Sequence, residues 1–251
     1  MCAFKAKHNG NANGHHLDEE WRTLPFPAVN NGIIVSGSTL IEEAPTARSS
    51  TVEQYEHTEV LTGDQEQYEK IHNAIFQLLD AFNVNWDDPN YSETPKRVAK
   101  AYLEYWASGY GNDPADEITV FPNSSTNGDL VVVKDMRYYS LCSHHLAPFH
   151  GYGAIAYLPG ANLLGLSKLG RILEIYARRF QLQERIGAQT ADKLMELLNP
   201  QGVMVVLYDS EHMCMSSRGV QLHEANTTTV SARGIFQEDA DLRREVLSMI
   251  R

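Results

Sequence analysis

The sequence predicts an α+β fold built on an antiparallel sheet, and three observations carry that reading. Two segments between residues 64 and 111 repeat apolar residues at steps of three and four, as amphipathic helices do. Beyond Pro122 the period shortens toward that of strands, in Leu130 to Lys134, Tyr152 to Leu158, Val203 to Tyr208 and Thr227 to Phe236. Two further helical segments fall between the second and third of these. The order strand, strand, helix, helix, strand, strand is that of a sheet with segregated helices rather than of alternating βαβ units.

Taken in order, residues 1 to about 60 are rich in Asn, Gly, His, Ser, Thr and Glu and hold no sustained period, so they read as a flexible extension. His15 and His16 beside Asp18, Glu19 and Glu20 resemble a metal-binding tract, although adjacent histidines in a solvated tail are usually only that, and Cys2 reads as a bystander. Residues 61–122 form an N-terminal helical unit. Its first helix carries Tyr68, Ile71, Ile75, Leu78, Leu79 and Phe82 on one face and is ended by Asn83 to Asn90 with Pro89. Its second starts at Thr94-Pro95, with Thr as cap and Pro in the first turn, and stops at Gly109-Tyr110-Gly111.

Residues 123–251 then form the sheet-bearing domain. Pro159-Gly160 closes the second strand, and Ser167 is expected to cap a helix carrying Leu169, Ile172, Leu173, Ile175 and Tyr176. A helix over Gln183 to Leu198 ends at Asn199-Pro200-Gln201-Gly202. Val203 to Tyr208 reads as a buried strand, and Thr227 to Phe236 as a β-prone stretch dense in threonine.

Composition narrows the function classes. The 251 residues are 43% apolar, enough for a substantial core, and three cysteines make no disulfide scaffold. No apolar run approaches the ~20 residues of a membrane span, and no segment has signal-peptide form, which implies a reducing, cytoplasmic setting. A net charge of -11 argues against nucleic acid or a membrane surface as partner, since both are polyanions. One small anion held by a local basic cluster remains compatible.

The chemistry-bearing fragments are few. Cys142-Ser143-His144-His145 follows a predicted strand, and His212-Met213-Cys214 follows another. Together they offer thiolates and imidazoles at two strand ends, a soft S/N set that suits zinc, with three protein ligands leaving a position open for water. Spacing alone equally allows buried apolar cysteines and histidines satisfied by neighbours. In Gly165-Leu166-Ser167-Lys168-Leu169-Gly170-Arg171, a helix start with Lys168 and Arg171 is a plausible phosphate cradle or an ordinary solvated face; Arg178, Arg179, Arg185 and Arg218 add basic residues downstream. Gln183-Glu184 opens the next helix, where a carboxylate either accepts from a guanine edge or complements the helix dipole.

These fragments, taken together and in this order, resemble the GTP cyclohydrolase I family from about Tyr68 to the C-terminus. The motifs are Thr94-Pro95-Lys96-Arg97-Val98-Ala99, Cys142-x-His144-His145 with Pro148-Phe149, Gly165-Leu166-Ser167-Lys168, Gln181-Leu182-Gln183-Glu184-Arg185, and His212-Met213-Cys214-Met215 followed by Arg218-Gly219-Val220. The resemblance implies zinc held by Cys142, His145 and Cys214, catalytic histidines at His144 and His212, and a guanine anchored by Glu184 and Gln183. It places Arg97, Ser167, Lys168, Arg171 and Arg218 around the triphosphate. It also implies the tunnelling or T-fold, with a four-stranded antiparallel sheet and two helices, and a homodecamer of two stacked rings with sites at subunit boundaries. The implied reaction is hydrolysis of GTP at guanine C8, giving formate and 7,8-dihydroneopterin triphosphate, the entry to pterin and folate-type biosynthesis.

Several positions depart from the family pattern. Ser143 stands where glutamate is usual, Ser216-Ser217 where a bulkier pair is usual, and Ala225 and Val230 replace hydroxyl residues. Two other readings bear on such departures. One is a pterin synthase or deazaguanine reductase on the same fold, which the Ser167, Lys168 and Arg218 set argues against. The other is a catalytically silent regulatory subunit, which an intact Cys142, His145 and Cys214 set argues against.

Overall fold

A computed structural model of the chain describes residues 65–124 and 129–250, which belong to one compact unit spanning Thr58–Arg251. The extension expected over residues 1–60 lies outside the described residues. Helix α1 (Gln65–Ala81) half-buries Tyr68, Ile71, Ile75 and Leu79 and leaves Leu78 in solvent, as does Phe82 just beyond it. Phe76 stacks on Trp86 with ring centroids 4.5 Å apart. Pro89, expected only to end this helix, instead opens the short α2 (Pro89–Ser92), because the Asp88 carboxylate accepts from Asn90 N and caps a new turn.

Helix α3 (Thr94–Ala101) packs against α1, and its cap sits one residue earlier than expected: Glu93 holds the cap position, and the Thr94 hydroxyl donates back to Asn90 O. It widens into a π turn over Tyr102–Trp106 and then a 3-10 turn over Ser108–Gly111, so the expected glycine stop is reached through irregular helix. Gly109 N donates to Arg178 O, and a Cβ at Gly109 would lie 2.0 Å from Ile175 O, so only glycine lets this turn seat on the helix below. Gly109→Ala should therefore cost on the order of 1–3 kcal/mol, the scale of a forced backbone shift, read as a lower urea midpoint with unchanged slope.

A small ladder pairs β1 (Val120–Pro122) with β4 (Asn162–Leu164). The main sheet begins with β2 (Val131–Cys142) and β3 (Pro148–Leu158), an antiparallel hairpin longer at its turn end than the periodicity predicted. A register shift between Val133 and Met136, with Asp135 at φ 60, breaks the alternation that would have signalled the second half of β2. Helix α4 (Leu166–Ala177) is capped by Gly165 in an extended conformation; Ser167 lies in the first turn, exposed, and is not the cap.

The two-residue β5 (Phe180–Gln181) joins the edge of β2 in parallel, and α5 (Gln183–Leu198) has the bounds the sequence predicted. Strand β6 (Gly202–His212) continues past its predicted end into the single turn α6 (Met213–Ser216). The chain closes with β7 (Thr227–Gly234), α7 (Ile235–Glu238) and α8 (Ala240–Ile250). The sheet is thus five-stranded and mixed, in the order β5-β2-β3-β6-β7, with four antiparallel strands and the short parallel edge β5.

The unbroken apolar run Val203–Leu207 has a simple cause. Val203, Val205 and Leu207 face α4 and α5, packing with Ile172, Leu173, Ile186 and Leu194, whereas Met204 and Val206 face Phe236 and Val246 at the C-terminus. A strand covered on both faces needs no polar alternation. Each such fully buried side chain contributes about 1.5–3 kcal/mol of burial free energy. Among the described residues no helix is long and apolar enough to cross a membrane.

Candidate active site

The functional residues gather where β2 ends, β3 begins and β6 ends. The hairpin turn from Cys142 to Ala147 is closed by Cys142 N donating to Ala147 O at 2.8 Å, with Leu146 N donating to Cys142 O at 2.8 Å and Leu146 in the left-handed region. Cys142 is buried at the strand end, whereas His144 and His145 stand exposed on the turn, their rings 6.0 Å apart. Ser143 N donates to Gln181 O, a main-chain contact that needs no particular side chain, so serine in place of glutamate leaves the turn intact.

Phe149 pairs with His212 across β3 and β6, and this register carries the one-turn helix with Cys214 onto the hairpin turn. The ligand atoms of Cys142, His145 and Cys214 all lie within 4.8 Å of one another, and Cys142 Sγ is 3.8 Å from His145 Nδ1. Roughly 3.5–4 Å is the separation that two ligands of one tetrahedral zinc keep, given bonds of about 2.0–2.3 Å. The donor set and spacing therefore fit zinc. Burial pushes the Cys214 thiol up, and the neighbouring Cys142 thiol adds to the shift. Binding a cation here must expel protons from such a pair.

His212 is half-buried and held on two sides. Its ring stacks on buried Phe149 at 4.5 Å and 9°, and its Nε2 lies 2.8 Å from Gln183 Oε1. Burial holds the imidazole below its ordinary range, opposed by the nearby Glu184 carboxylate. Glu184 is exposed at the start of α5, free to meet a ligand. Gln183, expected beside it at the guanine, instead turns its side chain inward.

The basic residues form two groups. Arg218 Nη1 donates to His145 Nε2 at 2.7 Å, bringing this arginine to the cysteine and histidine cluster. Lys168 and Arg171 converge on Glu117, whose Oε2 accepts from Lys168 Nζ at 3.4 Å and Arg171 Nη1 at 2.8 Å; these cations hold the Glu117 carboxyl below its usual range, the Arg171 hydrogen bond contributing most. Sequence reasoning missed Glu117, because an ion pair across 51 residues leaves no local pattern. Ser167 and Arg97 are exposed. Among the described residues no hydrogen bond or ion pair joins Lys168, Arg171, Ser167 or Arg97 to the Cys142, His145 and Cys214 cluster.

A sequence model described as GTP cyclohydrolase I matches residues 71–251, most of the chain and every residue of the cluster. The chain belongs to the GTP cyclohydrolase I family. Similar relatives bear this out. GTP cyclohydrolase 1 of Streptococcus thermophilus (strain CNRZ 1066) is 47% identical over 188 residues, covering 74% of this chain and 98% of its own length. GTP cyclohydrolase 1 of Geobacillus sp. (strain WCH70) is 49% identical over 189 residues, covering 73% of this chain and 97% of its own. The portion shared with these family members contains the sheet, the helices and the cluster; the first residues of the chain lie outside the family match.

Proposed function

We propose that this chain is a cytosolic, zinc-dependent GTP cyclohydrolase I that converts GTP to formate and 7,8-dihydroneopterin triphosphate. The observation that carries the proposal is the meeting of Cys142, His145 and Cys214, with ligand atoms within 4.8 Å, beside an oriented His212. Zinc held by those three residues supplies Lewis-acid activation of water at neutral pH. Ligation through Nδ1 of His145 would keep that ring's proton on Nε2, where Arg218 could no longer donate, and so would release the guanidinium for a substrate phosphate.

The chain's own residues do the rest. Glu184 holds the guanine through charge-assisted hydrogen bonds from its ring N–H groups. His212 gives a proton to N7 as water adds at C8, and His144, exposed on the hairpin turn, assists proton transfer. The ring opens, a second addition of water releases C8 as formate, and reclosure after ribose rearrangement expels water. Ser167, Lys168, Arg171, Arg97 and Arg218 bind the triphosphate, which does no chemistry but supplies remote binding energy.

The T-fold ring assembly, a homodecamer with sites at subunit boundaries, belongs to the same proposal. In such an assembly a second copy would contribute residues to each site.

Incubating the zinc-loaded protein with GTP, followed by oxidation and measurement of pterin fluorescence, tests the activity. Glu184→Ala tests the base contact. It should weaken GTP binding by calorimetry by roughly 10-fold or more, as loss of a charged hydrogen bond worth about 1.5–3 kcal/mol does, and relax discrimination against other purine triphosphates. Unchanged affinity would move the guanine anchor elsewhere.

A further inference from the structure

Gln183 is 2% exposed at the first position of α5, and its amide is fully committed inside the fold. Its Nε2 donates to Leu207 O at 3.3 Å and to Thr227 O at 3.2 Å. Those two carbonyls flank the register shift between Leu207 and Ser210, where Asp209 adopts φ 47 and the β6–β7 ladder is interrupted. Gln183 thus supplies a donor to a carbonyl on each side of the interruption.

This arrangement decides which way the amide faces. Carbonyl oxygens only accept, so the NH2 end must point at Leu207 and Thr227, and the oxygen must point at His212. An amide oxygen cannot donate. The 2.8 Å contact therefore has His212 Nε2–H as its donor, and the neutral ring carries its lone pair on Nδ1. Stacking on Phe149 at 9° holds the ring plane, which keeps the Nε2 edge on the amide oxygen.

We infer that Gln183 is a positioning residue, bound to the His212 imidazole rather than to guanine, that fixes the Nε2–H tautomer and leaves the lone pair of the neutral ring on Nδ1. The inference rests on the proposed role of His212 in GTP hydrolysis. Specificity for guanine then falls to Glu184.

The test is nitrogen NMR of the assembled protein with 15N-labelled histidine, with the His212 signals identified by their absence in His212→Ala. In the neutral form Nε2 should resonate as a protonated, pyrrole-type nitrogen and Nδ1 as an unprotonated one; the reverse assignment would overturn the inference whether or not the protein turns over GTP. Gln183→Met keeps side-chain length and removes the acceptor. It should mix the two tautomers and lower kcat by roughly 10-fold or more, the scale for losing a group that orients a functional imidazole, with KM and zinc content near the parent's. If Gln183→Met folds and keeps both the parent tautomer and the parent kcat, the positioning role is lost. If it fails to fold, the tautomer of the unsubstituted protein decides alone.

Discussion

His212→Ala is expected to lower kcat by a factor on the order of 100 or more while zinc content and GTP affinity stay near the parent's, the size of effect typical for a positioned general acid. The expectation follows from what surrounds the ring. His212 touches Phe149 and Gln183 and lies within the field of Glu184, yet it is not among the three residues whose ligand atoms converge. On the proposed mechanism its removal deletes the proton donor and leaves the three convergent residues in place. Burial also favours the neutral ring, so the imidazolium gives up its proton readily once the substrate presents an acceptor. Single-turnover kinetics beside calorimetry separates the two quantities. Turnover at the parent rate would remove His212 from the chemistry.

Cys214→Ala should have the second large effect, leaving less than roughly a tenth of the parent's zinc by elemental analysis after dialysis, since structural and catalytic zinc sites draw much of their affinity from each thiolate. Cys214 sits on a single helical turn at the end of β6, partly buried against the core, and supplies one of only two sulfurs in the cluster. Its loss leaves Cys142 and His145, an incomplete set. Because Cys214 is only half-buried and lies at the rim of the core, the folded sheet should survive, and circular dichroism should match the parent. Full retention of zinc would mean that the ligand set is wrong.

Much of this architecture is legible in the sequence. The α5 helix had its predicted bounds because its apolar stripe, Ile186, Ala191, Leu194 and Leu198, is long and uninterrupted. The cysteine and histidine fragments were visible at two strand ends, and the β3–β6 register brings them together. The second half of β2 was hidden by the irregularity at Asp135, which breaks alternation. Helix α8 escaped notice although Leu242, Val246, Leu247 and Ile250 recur at helical steps, because charged residues between them dilute the signal. Residues whose role depends on a distant partner were out of reach. Glu117 meets Lys168 and Arg171 only through the fold, and Gln183 turns inward to donate to carbonyls of β6 and β7, strands distant from it in sequence. Sequence motifs name the side chains that gather at a site; they do not say which of them face the ligand and which face each other.

The proposed reaction opens the guanine ring at C8. GTP carrying 13C at C8, incubated with the zinc-loaded assembled protein and followed by carbon NMR, tests it most directly. The label should leave the purine and appear in formate, mole for mole with pterin formed, and His212→Ala should slow its appearance. GTP whose label stays in the purine, or which loses only phosphate, would contradict it.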